Sequence, residues 1–203
     1  CLNLALSGHS LTTCDMEVVT PEGMHYGFFS PIAQLNSWNY FKHPWLLGEE
    51  LKESFKFYAK LRYKLLPYIY TFAYQSHITG IPIMRPMYLE FPEDKNTYNL
   101  LNQYMFGDTI LIRAFKNEVY LPEGKWFDYW TGKIYEGAKF IKYQPPEGKG
   151  GGMFLKEGAI IPTGPEINYV GEKTENILYL EVFPSKENYF TLYEDDGISF
   201  DYI

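Results

Sequence analysis

Three residues have types and settings suited to chemistry: Asp15, Asn36 and Trp38. Asp15 closes the run Leu11-Thr12-Thr13-Cys14-Asp15. A carboxylate at the end of a short β-prone run is what the C-terminal end of a barrel strand presents to an active site. Such a carboxylate contacts a ligand directly, or it caps a turn by accepting backbone hydrogen bonds, and the residues leave both readings open. Asn36 stands in the polar and aromatic cluster Gln34-Leu35-Asn36-Ser37-Trp38-Asn39. Its amide offers one donor and one acceptor, which is what a neutral hydroxyl needs. Trp38 is either a flat platform on which a sugar ring stacks or a filler of the core.

The formal net charge of −7 argues against nucleic acid and against an anionic membrane surface, both of which require basic patches, and it suits a neutral ligand. Two cysteines, Cys1 and Cys14, are too few for a disulfide framework, and they are expected as thiols in a reducing compartment. Neither a Cys-x-x-Cys pair nor a Cys/His cluster points to a metal, and no cofactor is expected. No leader-like segment and no apolar run of about 18 residues stands in the sequence, so the expected location is cytoplasmic.

The elements that must position these residues change type along the chain. Leu2, Leu4 and Leu6 read as β-prone, Thr20 to Gly23 as a turn, and His25 to Leu35 as a helix broken by Pro31. His43 and Trp45 beside Pro44 are expected to fix a loop. Glu49 to His77 carries apolar residues at helical spacing (Leu51, Phe55, Tyr58, Leu61, Leu65), and Pro67 is expected to kink it. From Gly80 short apolar runs alternate with Gly and Pro. Ile81 to Met84, Thr109 to Ile112, Val119 to Leu121, Ala159 to Ile161, Leu178 to Phe183 and Tyr189 to Tyr193 are expected strands of antiparallel sandwiches, with a short helix over Asn99 to Phe106. Gly150-Gly151-Gly152 lacks the Lys-Ser/Thr that a phosphate loop requires. Glu194-Asp195-Asp196-Gly197 lacks the alternating ligands of a calcium loop and is expected to be a hairpin turn.

Several longer motifs resemble the C-terminal half of family 31 glycoside hydrolases, the α-glucosidases and α-xylosidases. They are Arg62-Tyr63-Lys64-Leu65-Leu66-Pro67-Tyr68-Ile69-Tyr70-Thr71, Gly80-Ile81-Pro82-Ile83-Met84-Arg85-Pro86, Phe91-Pro92-Glu93-Asp94 and Gln103-Tyr104-Met105-Phe106-Gly107-Asp108. The resemblance implies the end of a (β/α)8 TIM barrel over residues 1–79, a proximal C-terminal β-sandwich over 80–163 and the start of a distal one over 164–203. It also implies a retaining α-glycosidase that hydrolyses O-glycosidic bonds of α-linked oligosaccharides, with the chain inactive by itself. Asp15 matches a family strand that ends Gly-x-Asp, although Met16-Glu17-Val18-Val19 replaces the glycines and aromatic that follow. Gln34 and Asn36 stand where the family carries Arg-x-His.

Retaining hydrolysis needs two carboxyl groups about 5 to 5.5 Å apart. The family's nucleophile and acid/base motifs have no counterpart here, so no catalytic residue is assigned and the catalytic Asp pair is expected upstream. Asp15, Asn36 and Trp38 are the expected substrate-binding residues. The expected partners are an oligosaccharide substrate and the missing N-terminal part of the same enzyme, with a homo-oligomer as a further option. Two other readings compete. One is a transglycosylase of the same family, and the other is a non-catalytic carbohydrate-binding module, which a barrel-type segment before residue 80 argues against.

Overall fold

The computed structural model describes residues 1–12, 14–35, 43–172 and 177–199. The N-terminal segment is helical, contrary to expectation. α1 (Leu2–Leu6) buries Ala5 and leaves Leu4 and Leu6 exposed. Five residues are too few to separate a period of 2 from one of 3.6. Strand character survives as one parallel bridge between Met16 and Leu35, with the Met16 N–H donating to the Gln34 carbonyl at 2.6 Å.

α2 (Pro21–Phe28) starts where a turn was expected. The Thr20 hydroxyl accepts from the Gly23 N–H at 3.1 Å, and Pro21 occupies the first turn, where its missing N–H costs nothing. The helix stops at Phe28 rather than running to Leu35, because Pro31 disfavours helical backbone just before it. Gly23 and Gly27 face the Met16–Glu17 segment, and a Cβ on Gly27 would lie 2.7 Å from the Met16 Cβ. The helix can touch the strand end at backbone distance only where side chains are absent.

The long periodic segment is two helices, α3 (Glu49–Lys64) and α4 (Leu66–Thr79), broken at Leu65. Glu49 and Glu50 lie in the first turn of α3, and Arg62 and Lys64 in its last, each charge complementing the helix dipole. Pro67 sits in the first turn of α4, so it removes no hydrogen bond and marks a helix start instead of a kink. Gly80 ends α4 in the left-handed conformation (φ 75°), which glycine adopts without a Cβ penalty.

The strands follow. β1 (Met84–Pro86), α5 (Met87–Glu90), β2 (Gln103–Phe106), β3 (Ile110–Ala114), β4 (Glu118–Leu121), β5 (Lys125–Asp128), β6 (Ile134–Glu136), β7 (Lys139–Lys142), β8 (Gly151–Lys156), β9 (Ile160–Thr163) and β10 (Tyr179–Val182) succeed one another. Six of the strands form one antiparallel sheet in the order β1-β2-β3-β8-β5-β6, while β4 pairs with β7 and β9 with β10. Three expectations fail in this region. The strand expected over Ile81 to Met84 begins only at Met84, because the Gly80 and Pro82 that bracket Ile81 keep the chain irregular. Gln103–Phe106 is strand β2 and not helix, because both faces of β2 are buried and no polar alternation marks it. Tyr189 to Tyr193 is irregular, although the Tyr193 ring lies flat on Tyr74 with centroids 3.6 Å apart.

Alternate side chains of the six-stranded sheet enter two different cores, as a period of 2 requires. Tyr104, Phe106, Ile110, Ile112, Met153 and Leu155 pack toward α2, α3 and α4, with Met24, Phe29, Tyr58, Leu65, Tyr68 and Phe72. Met105, Leu111 and Phe154 point the other way, onto Val119, Leu121, Trp126 and Tyr143. Each fully buried side chain of this size contributes about 1.5 to 3 kcal/mol. The helices are therefore held on the sheet far more firmly than by a transient contact.

Candidate functional site

Asp15 lies exposed between exposed Cys14 and buried Met16. The parallel bridge from Met16 to Leu35 brings the chain after Asp15 beside the chain that leads into Asn36. Asn36 and Trp38 themselves lie outside the described residues. Among the sequence-derived candidates, then, the structure places Asp15 alone, in irregular backbone one residue before the Met16 bridge and not at the end of a strand.

The segment that leads toward Asn36 is fixed by a residue for which the sequence suggested no role. At the exit of α2 the His25 and Gly27 carbonyls accept from the Phe29 and Ser30 N–H groups and the Tyr26 carbonyl from the Ser30 hydroxyl, which leaves the carbonyls of Phe28, Ser30 and Pro31 to be met from another element. Arg62 on α3 answers them: one guanidinium nitrogen donates to the Phe28 carbonyl at 2.5 Å and the Ser30 carbonyl at 2.8 Å, and the other to the Pro31 carbonyl at 2.8 Å. Tyr104 on β2 donates to the Phe29 carbonyl at 3.0 Å. Burial pulls the guanidinium down to about 10, still charged at neutral pH. The exit of α2 toward Leu35 is thereby clamped from α3 and from the sheet.

A second cluster, also unforeseen, joins α2, α3 and β8. His25, Tyr58 and Gly150 to Gly152 form a directed chain of hydrogen bonds. The Gly150 N–H donates to the Tyr58 hydroxyl at 3.0 Å, the Tyr58 O–H faces His25 Nδ1 at 3.0 Å, and His25 Nε2 faces the Gly152 carbonyl at 3.2 Å. A carbonyl only accepts, so Nε2 carries the proton and Nδ1 accepts from Tyr58, which fixes a neutral imidazole. Burial lowers His25 to about 3, against partial support from the Gly152 carbonyl, with Arg113 lowering it further. Burial raises Tyr58 as well. Trp130 closes the cluster, its indole N–H donating to the Gly151 carbonyl at 2.8 Å.

The glycine triplet now has a physical reason. A Cβ on Gly150 would collide with the Pro21 carbonyl, and one on Gly151 with the Arg113 carbonyl and the His25 ring. The triplet is the place where β8 meets the start of α2 at backbone distance. Gly150→Ala should destabilise the protein by about 2 to 3 kcal/mol, the cost of forcing a methyl against fixed backbone. Thermal unfolding of the variant measures this, and an unchanged midpoint would mean that Pro21 yields freely.

Three further carboxylates are engaged within the chain. Asp195 accepts from the Tyr193 hydroxyl at 2.6 Å, the Tyr70 hydroxyl at 2.8 Å and the Gly197 N–H at 2.8 Å. Asp196 accepts from the N–H groups of Ile198 and Ser199. These bonds make a local turn with no paired strands on either side among the described residues, where a hairpin was expected. Buried Asp128 accepts from Thr131, Tyr143 and the Trp130 N–H. No group of three or more His, Cys, Asp or Glu among the described residues could hold a metal ion. No described helix is long and apolar enough to cross a membrane. His43 stacks on Trp45 with ring centroids 4.7 Å apart beside a short 3-10 turn (Pro44–Leu46), as a loop-fixing pair would.

Two domain models match in sequence order: the TIM-barrel domain of glycosyl hydrolases family 31 over residues 1–72 and the family 31 C-terminal domain over residues 80–161. The chain belongs to glycosyl hydrolase family 31. Among its relatives, an α-xylosidase of Saccharolobus solfataricus is 38% identical over 86% of the chain, and an α-glucosidase of Bacillus thermoamyloliquefaciens is 31% identical over all of it. A family 31 dextranase of Flavobacterium johnsoniae, solved in complex with isomaltotriose, superimposes with a TM-score of 0.87 at 32% identity over 97% of this chain. This family 31 chain spans about a quarter of each relative: 25% of the xylosidase, 28% of the glucosidase and 27% of the dextranase.

Proposed function

We propose that this family 31 chain supplies the last barrel units and the C-terminal β-domains of a retaining α-glycosidase. That enzyme hydrolyses α-linked glucose- or xylose-type oligosaccharides. The reading is carried by the match to both family domains in order within one chain, in a segment whose relatives include an α-xylosidase and an α-glucosidase. The two carboxyl groups that attack and protonate the glycosidic bond come from upstream of this chain. Residues 1–79 finish the barrel, 80–163 form the proximal sandwich, and 164–203 begin the distal one.

In this reading Asp15 accepts hydrogen bonds from sugar hydroxyls beside the Met16 bridge, Asn36 donates to and accepts from a further hydroxyl, and Trp38 stacks on a sugar face. Amides in the place of the family's Arg-x-His remove a cation from the pocket and suit it to neutral sugars. Asn36→Ala in the whole enzyme should cost about 1 to 3 kcal/mol of transition-state binding, the penalty of an unpaired hydroxyl. It is read as a fall in kcat/KM across a panel of α-glucosides and α-xylosides, and unchanged values on every member would remove Asn36 from the pocket. Product analysis with and without an added sugar acceptor separates hydrolysis from transfer.

A further inference from the structure

We propose that Cys1 and Cys14 are a redox modification site, two thiols that close into a reversible disulfide clipping α1 to the loop that carries Asp15. With only two cysteines, 13 positions apart, the sequence predicted separate thiols. The fold instead brings their sulfurs together, with the Cys1 thiol donating to the Cys14 sulfur at 4.0 Å. A disulfide needs the sulfurs about 2 Å apart, so closure must bring them together by about 2 Å. Cys1 caps α1, its carbonyl accepting from the Ala5 N–H at 2.9 Å, and Cys14 lies in irregular backbone, so neither side chain projects from the interior of a helix or sheet.

The surroundings give the pair access and hold it in place. Cys14 is exposed and Cys1 half-buried. A cavity of about 220 Å³ opens beside Cys1, between Leu2, Tyr26, Tyr104 and Phe115. The Tyr26 hydroxyl, on α2, hydrogen-bonds the Cys14 sulfur and so fixes it from a second side.

With glutathione disulfide as oxidant, the exposed Cys14 thiolate attacks one of its sulfurs and releases one glutathione thiolate. The Cys1 thiolate then attacks the Cys14 sulfur of the mixed disulfide and releases the second. Two protein thiols lose two electrons in all, one glutathione disulfide gains them, and the two protons pass to the released glutathione. The consequence for activity rests on the reading of Asp15 as a pocket residue, because the bond would tether its immediate neighbour.

The test uses the whole enzyme that contains this chain, treated with glutathione disulfide or with dithiothreitol and mapped by mass spectrometry without reduction. The expected result is a peptide linking Cys1 to Cys14, lighter by two hydrogens than its parts, removed by dithiothreitol and absent from both Cys1→Ser and Cys14→Ser. Alongside it, kcat/KM on an α-glycoside should shift several-fold on oxidation and return on reduction in wild type, while neither serine variant responds. Glutathione adducts without the linked peptide overturn the clip. A linked peptide with identical kcat/KM in both redox states overturns its coupling to Asp15. Absence of any glycosidase activity in either state would strike at the functional reading instead, and the peptide map would still decide the clip.

Discussion

Replacing Arg62 by Met should lower the unfolding midpoint of the whole enzyme by roughly 10 °C, the counterpart of about 3 to 5 kcal/mol in a domain of this size. Methionine conserves most of the apolar stem, so the loss isolates the guanidinium. Three carbonyls, those of Phe28, Ser30 and Pro31, lose their donor in a setting where water replaces it poorly. Such a loss exceeds what an exposed arginine contributes, because each buried acceptor left unpaired costs about 1 to 3 kcal/mol. Arg62→Lys should recover part of the loss. An ammonium keeps the charge but cannot spread donors over three carbonyls in the fixed fork that guanidinium provides. Because the clamped segment leads into Leu35 and Asn36, the methionine variant should also raise KM in whatever enzyme survives. Thermal unfolding of both variants checks the order, and Met equal to wild type would show that the clamp is dispensable.

That clamp also shows where sequence reading stops. The switch from helical spacing to short apolar runs near Gly80 was legible because it is a local pattern, and so were β3, β4, β9 and β10, whereas β5 to β8 were not expected as strands. β2 was not legible as a strand: with Met105 turned to one core and Tyr104 and Phe106 to the other, its polarity does not alternate. The division of the long helix at Leu65 depended on reading Pro67 as a helix start, and the two uses of proline look alike before the fold is known. The strand expected to end on Asp15 is not formed: Leu11, Thr12, Cys14 and Asp15 carry no strand pairing, and a single bridge follows at Met16. The anchoring of Met16, the neighbour of Asp15, was not legible either, because it comes from a parallel bridge 19 positions away, Met16 to Leu35.

The junction was harder still. His25, Tyr58 and Gly152 lie 33 and 127 positions apart and have no joint signature in the sequence. The Gly150-Gly151-Gly152 run was the one available sign. Three successive glycines with no phosphate-loop context call for another reason why side chains must be absent, and close approach of a helix to a strand supplies it. The same logic applies to Cys1 and Cys14, whose proximity depends on how α1 folds back and not on their spacing.

The His25 cluster makes the second large prediction, in which stability falls with acid in a window set by one side chain. In the unfolded chain the imidazole titrates near 6.5, and in the folded protein burial holds it to about 3. Between those values the unfolded state binds the proton that the folded state refuses. Stability is therefore fully present above about pH 6.5 and declines as pH falls, by about 1.4 kcal/mol per unit for this one group. The whole contribution, on the order of 5 kcal/mol, is gone once pH drops through the folded value. The direction follows from the geometry, because an imidazolium would present a proton on Nδ1 to a Tyr58 hydroxyl that already donates there, in a site further raised in energy by Arg113. The comparison is between wild type and His25→Gln, each unfolded by urea at pH 7.5 and at pH 4.5. The glutamine variant should be weaker at pH 7.5, since it cannot bridge Tyr58 and Gly152 with the same ring, yet it should lose about 3 kcal/mol less than wild type on acidification. Carboxylates titrate in both proteins and cancel in the difference. Equal acid losses in the two proteins would place a charged, solvated His25 at this junction and would dismantle the neutral relay on which the joint between α2, α3 and β8 is argued.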